Sequence, residues 1–174
     1  MIVPKELVRA VDEVDVQRRP PPPYYPSASR PGAATLDTMA DADIIRLQLR
    51  PVRQALIELH KGLIDAEREQ YEQSHGRVPP AELLQLLLSD PQFAWLRSIS
   101  ELIVRIDEMS EADEPPTRQQ ADEVLGTVRR LLTQTDTRAE FTRRYADTLQ
   151  RQPALVVVHG RVMRALDAGR SPIE

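Results

Sequence analysis

Apolar positions from Ile45 onward recur at alternating steps of four and three residues. Such steps place side chains on one face of an α-helix, because 3.6 residues complete a turn. Eight positions share this face: Ile45, Leu49, Val52, Leu56, Leu59, Leu63, Ala66 and Gln70. The pattern predicts a long helix that starts at Asp41 or Asp43 and ends at Gly76, since acidic residues favour helix starts and glycine favours the position after the last turn.

Pro51 lies inside this predicted helix and leaves two interpretations open. A proline removes one backbone hydrogen bond from a helix interior. The helix therefore either bends at Pro51 or begins there after a short turn. Whether residues 37–50 continue the same helix is undecided from the pattern.

Shorter apolar segments follow, and each has its own start signal. The segment PAELLQLLLS begins at Pro80, and Asp90 caps the next helix, with Pro91 in its first turn. The core-facing positions of that helix are Phe93, Leu96, Ile99, Ile103 and Ile106, with Trp95, Leu102 and Met109 along the edge. Arg97, Glu101 and Arg105 are spaced by four on the opposite side, which indicates a solvated face.

The C-terminal part of the chain continues the helical pattern. Thr117 and Thr137 each begin a capping-box sequence, and Pro153 opens a last helix. ALVVVHG in that helix has strand propensity, but no second strand-like run exists to pair with it, so a helix is expected. The sequence therefore predicts an all-α fold, a single bundle of four long helices plus one short helix over residues 41–168, with a tail at 169–174.

Residues 1–40 are predicted to form a flexible arm. A short amphipathic helix after Pro4 would have Leu7, Val8, Val11 and Val14 on one side. Residues 17–36 contain RRPPPPYYPSASRPG, where four consecutive prolines favour an extended linker. The PPPY within it also matches peptides that bind aromatic grooves. A plain linker and a docking peptide are the two interpretations.

Composition narrows the expected function classes. The net charge is −4 and the sequence pI is near 5.5, so a nucleic-acid partner is not expected. The chain has no cysteine, which excludes disulfides, zinc fingers and thiol nucleophiles. It also has no long apolar run and no signal-peptide pattern, which predicts a cytoplasmic protein without a membrane partner.

Arginine is common and lysine rare, a bias typical of a bacterial genome rich in G and C.

Enzyme and metal motifs are sparse. We find no Gly-x-Ser-x-Gly elbow, no phosphate-binding glycine loop and no dinucleotide fingerprint, so no catalytic residue is assigned and an enzyme is not expected. Glu72 and His75 form one Glu-x-x-His match, but a di-metal bundle needs two such motifs. No metal and no cofactor is therefore expected.

The polar positions at the edge of the long helix give the candidate ligand site. His60 and Glu67 lie beside its apolar face, with Arg53 and Tyr71 slightly further round. One interpretation is interfacial polar residues that are paired between helices. The other is a small polar pocket of Arg53, His60, Glu67 and Tyr71 that binds a ligand or a metal between helices.

The last helix is apolar on almost every side. Besides its inward positions it carries Val156, Val157 and Met163. Such a helix is either surrounded by the bundle or contacts a partner, and ELLQLLLS has the same character. Central burial and self-association are both open. The leading hypothesis is a non-catalytic helical protein that acts through protein contacts, as a homodimer or with another protein.

Two segments resemble known sequences. DPQFAWLRSISELIVRIDE, together with LHKGLIDAEREQYE, is similar to parts of small bacterial helical proteins that are described only as uncharacterised. The likeness covers residues 47–166. It implies a bacterial origin and a helical fold, and it implies no activity, cofactor or functional residue.

Overall fold

The computed structural model describes residues 33–114, 116–136 and 138–169, which contain helices and no strand. The helices are α1 (Ala33–His75), α2 (Pro80–Ser89), a 3₁₀ helix (Pro91–Leu96), α3 (Arg97–Glu111), α4 (Arg118–Thr133), α5 (Glu140–Arg151) and α6 (Pro153–Ala168). The all-α prediction is confirmed. The described residues form six α-helices and one 3₁₀ helix, more than the predicted total of four long helices and one short helix. Gln152, with φ −124° and ψ 81°, leaves helical geometry and separates α5 from α6, and α6 begins at Pro153 as predicted.

Helix α1 begins earlier than the pattern predicted. It starts at Ala33, so residues 33–40 belong to the helix and not to the arm. Alanine, leucine and methionine in this stretch are strong helix formers, which explains the extension. The helix also continues through Pro51, so residues 37–50 are part of α1. Pro51 is exposed on the outer side of the helix.

The core is built around α1. Seven of its eight predicted stripe positions are buried, and Gln70 is the exception. Contacts to the following helices run in reverse order along the chain: Arg46 with Ala112, Arg53 with Asp107, and Glu67 with Gln92. Helix α3 and the 3₁₀ helix therefore lie antiparallel to α1. The contacts with α6 are also reversed, since Glu58 pairs with Arg161 and Gly62 lies against Leu155.

Three of the predicted helix boundaries are confirmed and one is wrong. Gly76 has a φ of 82° and ends α1. Asp90 accepts a hydrogen bond from the Gln92 amide at 2.7 Å, and Thr117 forms the full capping box of α4. Helix α5, however, begins only at Glu140, with Ala139 at the N-cap, so Glu140 cannot close a capping box with Thr137. Thr137 itself lies outside the described residues.

Several predictions fall outside the described part of the chain. These are the short amphipathic helix after Pro4, the proline-rich linker up to residue 32, the PPPY sequence and residues 170–174. The described residues from Thr35 onward form one compact unit. No described helix has both the length and the apolar character needed to cross a bilayer.

Candidate binding groove

The four residues of the predicted polar pocket do not converge on one cavity. Arg53 forms an ion pair with Asp107 of α3. His60 lines a groove beside α3, whereas Glu67 lines a different cavity beside α5. Tyr71 stacks on His75 with the ring centroids 4.0 Å apart. The side chains share one side of α1, but each meets a different neighbour because 18 residues of helix extend over roughly 27 Å.

An open groove of about 660 Å³ lies between α1, α2 and α3. Its apolar wall consists of Ile64, Leu87, Leu88, Phe93, Leu96 and Val104. Phe93 and Leu96 come from the 3₁₀ helix and are almost fully buried, so they form the floor. Four charged side chains line the α3 side: Arg97, Glu101, Arg105 and Glu108. The groove is thus apolar inside and charged along one edge.

Helix α2 supplies the end of the groove and buries none of its own residues. It contains five leucines in ten residues, of which Leu83, Leu86 and Leu87 pack partly against the core. Leu84 and Leu88 are 56% and 64% exposed and are one helical turn apart. Central burial of this segment, one of the two interpretations of ELLQLLLS, is therefore wrong. The helix is apolar on both sides and has a neighbour on only one.

The outer face of α3 is the second exposed apolar feature of the groove. Val104 is 52% exposed, one turn beyond Glu101 on the face opposite the buried Ile99, Leu102 and Ile106. Arg97 donates a hydrogen bond to the Leu88 carbonyl at 2.6 Å, which ties the start of α3 to the end of α2. The face carrying Arg97, Glu101 and Arg105 is exposed as predicted. Nothing in the spacing of these residues indicated that this face borders a groove.

His60 is the polar group on the α1 side of the groove. It is half-buried, and burial lowers its pKa below the ordinary value, an effect that the hydrogen bond to the Leu96 backbone partly offsets. The imidazole is therefore neutral near pH 7 and has one donor and one acceptor nitrogen. It can bind a polar group of an otherwise apolar ligand or partner side chain.

The cavity beside Glu67 is polar and has a volume of about 480 Å³. Glu67 is only 1% exposed and accepts hydrogen bonds from Gln92 at 2.9 Å and from Arg144 at 3.3 Å. Arg151 closes the same cavity through its contact with Gln70. Glu67 is thus an ion-paired link between α1, the 3₁₀ helix and α5, which matches the interfacial interpretation of this residue.

A buried tyrosine and a half-buried histidine form a pair between α5 and α6. The Tyr145 hydroxyl and His159 Nδ1 are 2.8 Å apart. Burial raises the pKa of Tyr145, so the hydroxyl keeps its proton and donates, and burial lowers the pKa of His159, which favours the neutral acceptor. The sequence did not indicate that Tyr145 and His159 form a pair. The one sequence feature that pointed to such a pair is that His159 lies on a largely apolar helix and therefore needs a polar partner.

The predicted interface residues of α6 divide between surface and core. Val156 and Val157 are 51% and 57% exposed. Met163 is half-buried and packs against the core. The exposed part of α6 is therefore smaller than the predicted set, and neither the groove nor the polar cavity beside Glu67 is lined by Val156 or Val157.

Glu72 and His75 have local partners. The Glu72 carboxylate accepts hydrogen bonds from Arg68 and from the Val78 amide, both at 2.9 Å, and these contacts lower its pKa. His75 Nδ1 lies 3.1 Å from the Tyr71 carbonyl. Within residues 33–114, 116–136 and 138–169, no three His, Asp or Glu side chains are grouped closely enough to hold a metal ion.

Comparison with protein-family models, with curated proteins and with solved structures returned no match for this chain.

Proposed function

We propose that this protein is a non-catalytic helical protein that acts by binding another protein surface in the groove between α1, α2 and α3. The observation that carries the proposal is α2, a helix with five leucines and no buried residue. A short helix gains little from its own backbone and needs apolar burial to be stable. A partner that covers Leu84 and Leu88 would supply that burial, at about 25 cal/mol per Å² of apolar surface.

The shape of the groove supports a helical partner. Its α3 wall extends from Arg97 to Glu108, which is about 16 Å of helix. Grooves of this kind bind amphipathic helices through apolar side chains spaced by three and four residues, with charges at the edge that select the partner. The candidate groove has both features. The exposed valines of α6 lack the surrounding walls, so α6 remains the alternative interface.

The experiment uses the absence of native cysteine. A photoactivatable crosslinker is attached to Val104→Cys in the groove, and to Val156→Cys on α6, in purified chains that are then mixed with an extract of the host cells. Val104 and Val156 are matched, with exposures of 52% and 51%. We expect a protein adduct from position 104 that Leu88→Glu abolishes, and none from position 156. The reverse result would move the interface to α6, and no adduct from either position would refute a protein-binding function.

A second candidate function is the binding of a small apolar ligand in the same groove. The specific observation is the volume of about 660 Å³ together with one neutral histidine, which is typical of ligand pockets. Glu67, which was predicted to share a pocket with His60, accepts hydrogen bonds from Arg144 and Gln92 and lines the polar cavity instead. His60 would then be the polar contact of the ligand.

A thermal-shift screen with medium-chain acids and alcohols tests this second candidate. A ligand at 100 times its dissociation constant adds about 2.7 kcal/mol to the free energy of unfolding. Val104→Trp fills the groove and should abolish the shift, whereas Val156→Trp on the matched α6 position should not. A shift that survives Val104→Trp and His60→Ala would place the ligand elsewhere.

Bacterial origin and a cytoplasmic location also belong to the proposal. Lysine occurs only at positions 5 and 61, whereas arginine and alanine are abundant, as in proteins from genomes rich in G and C. The chain has no cysteine that an oxidising compartment would convert to a disulfide. Fractionation of the host cells, with an antibody to the protein, tests the location directly.

A further inference from the structure

The charges along the groove have an order that is complementary to itself. On the outer face of α3 the sequence is Arg97, Glu101, Arg105 and Glu108, with Val104 among them. The midpoint between Arg97 and Glu108 and the midpoint between Glu101 and Arg105 differ by only about half a residue, and both lie close to residue 103. Reversing the direction of the helix therefore exchanges each basic residue with an acidic one.

Within the described residues, none of these four charges has an ion pair. Arg97 donates to the Leu88 carbonyl, whereas Glu101, Arg105 and Glu108 have neither a hydrogen bond nor an ion pair from their side chains. Glu101 and Arg105 are one turn apart on the same helix, a spacing at which opposite charges commonly pair. The structure instead leaves them side by side at the groove edge.

We propose that the occupant of the groove is a second copy of this chain, with the α3 helices of the two copies packed antiparallel about a twofold axis near residue 103. This inference rests on the proposed function of the groove. In this arrangement Arg97 faces Glu108 of the partner subunit, and Glu101 lies beside the partner's Arg105. Because the axis repeats each contact, four ion pairs form from four residues.

The apolar residues fit the same arrangement. Val104 lies almost at the axis, so the two copies of this side chain become neighbours. Leu88 borders the groove next to Arg97, and Leu84 is one turn before it on α2. These three side chains are each more than half exposed in the single chain. A twofold contact needs the same patch to supply both the projecting side chains and the walls, and this patch supplies both.

A parallel arrangement is disfavoured by the same charges. It would place Arg97 beside the partner's Arg97 and Glu101 beside the partner's Glu101. Like charges in an interface oppose association and serve to exclude wrong geometries. The charge order thus selects one direction of pairing as well as one kind of partner.

Charge reversal of single positions gives the sharpest test. Arg105→Glu places two acidic residues together at both symmetric contacts, and Glu101→Arg places two basic residues together. Sedimentation equilibrium of the full chain should show a dimer for the wild type, and each reversal should raise its dissociation constant about tenfold or more. Asp122→Arg, on the exposed side of α4, is the matched control and should leave the dissociation constant unchanged.

Two rescue experiments separate a specific contact from general electrostatics. The double variant Glu101→Arg/Arg105→Glu restores opposite charges at every contact and should dimerise again. An equimolar mixture of the two single variants should form the heterodimer in preference to either homodimer, and native mass spectrometry resolves its mass. All positions are exposed, so circular dichroism should show unchanged helix content.

The outcomes distinguish this inference from the proposed function on which it rests. A wild-type chain that is monomeric at about 100 µM, or a dimer unaffected by both reversals but lost in Val157→Glu, overturns the twofold α3 contact. If the crosslinker at position 104 then joins the chain to a different protein, the groove still binds a protein and only the identity of the occupant fails. If it joins nothing, both proposals fail.

Discussion

At the scale of single residues, Gly62 shows how closely α1 and α6 approach. A Cβ built at this position would collide with the Leu155 side chain, which is itself buried. Glycine normally costs a helix interior about 1 kcal/mol relative to alanine. Here the cost is offset because the missing side chain allows two helices to pack directly.

We therefore predict that Gly62→Ala gains nothing from its higher helix propensity and destabilises the fold by about 1 to 3 kcal/mol, the usual cost of overpacking. The matched control is Gly160→Ala on α6, where the nearest neighbour of the new Cβ is the Arg164 guanidinium at 3.8 Å. That change should stabilise by up to about 1 kcal/mol. Urea unfolding of both variants measures the difference, and equal effects would contradict the close approach.

Two histidines make stability depend on pH. Burial lowers the pKa of both His60 and His159 in the folded protein. The unfolded chain, with an ordinary histidine pKa near 6.5, binds more protons as the pH falls below that value. The free energy of unfolding should therefore be highest above about pH 7 and decrease towards pH 5. Urea midpoints across this range measure the decrease, which His60→Gln/His159→Gln should reduce.

Tyr145→Phe tests the origin of part of this effect. The hydroxyl donates to the neutral imidazole of His159 and so opposes its protonation. Its removal should raise the pKa of His159 towards the ordinary value and leave that of His60 unchanged. Proton NMR titration of the two ring signals checks this result. A lowered or constant His159 pKa would mean that the hydroxyl accepts from the ring.

At the scale of the elements, one buried carboxylate joins three helices. Glu67 of α1 receives hydrogen bonds from the 3₁₀ helix and from Arg144 of α5. Arg144→Leu should cost about 2 kcal/mol of unfolding free energy, less than for a fully buried pair because Arg144 is about a third exposed. Glu67→Leu/Arg144→Leu should be more stable than Arg144→Leu. Denaturant unfolding provides the measurement, and an additive loss would contradict the pairing.

The helices themselves follow largely from the sequence. The stripe from Ile45 to Ala66, the glycine after His75 and the capping box at Thr117 depend on neighbours within one or two turns, and all are found as predicted. The start of α1 was placed too late because Asp41 looks like a cap, although the preceding residues favour a helix equally well. A local sequence pattern therefore predicts that a helix forms, but it does not decide between two possible first residues of that helix.

The candidate site follows from the sequence only in part. His60 and Glu67 were singled out correctly as polar residues at the edge of an apolar face, but their partners come from residues 25 to 77 positions away. The leucines of α2 look the same in a buried helix and an exposed one, because the pattern does not say how many neighbours the helix has. The groove exists only once α1, α2 and α3 have packed, so no segment of the sequence displays it.

At the scale of the whole molecule, α1 is the element on which the others assemble. It contacts α3, the 3₁₀ helix, α5 and α6 through ion pairs or hydrogen bonds along its length. The groove and the polar cavity border it at different points along its length, the groove at His60 and Ile64 and the cavity at Glu67 and Gln70. A partner in the groove would thus contact the same helix that carries Glu67, while the polar cavity stays accessible.

Glu58 of α1 pairs with Arg161 of α6, and the two residues are 103 positions apart in the sequence. The ribosome therefore synthesises α1 well before the helix α6 that packs on it. A ribosome adds about 5 to 20 residues per second, and the leucines of α1 therefore wait on the order of 5 to 20 s for α6 to leave the exit tunnel. During that interval the part of the apolar face of α1 that packs against α6 is exposed in the cell. This chain should depend on a chaperone that holds nascent helices until synthesis is complete.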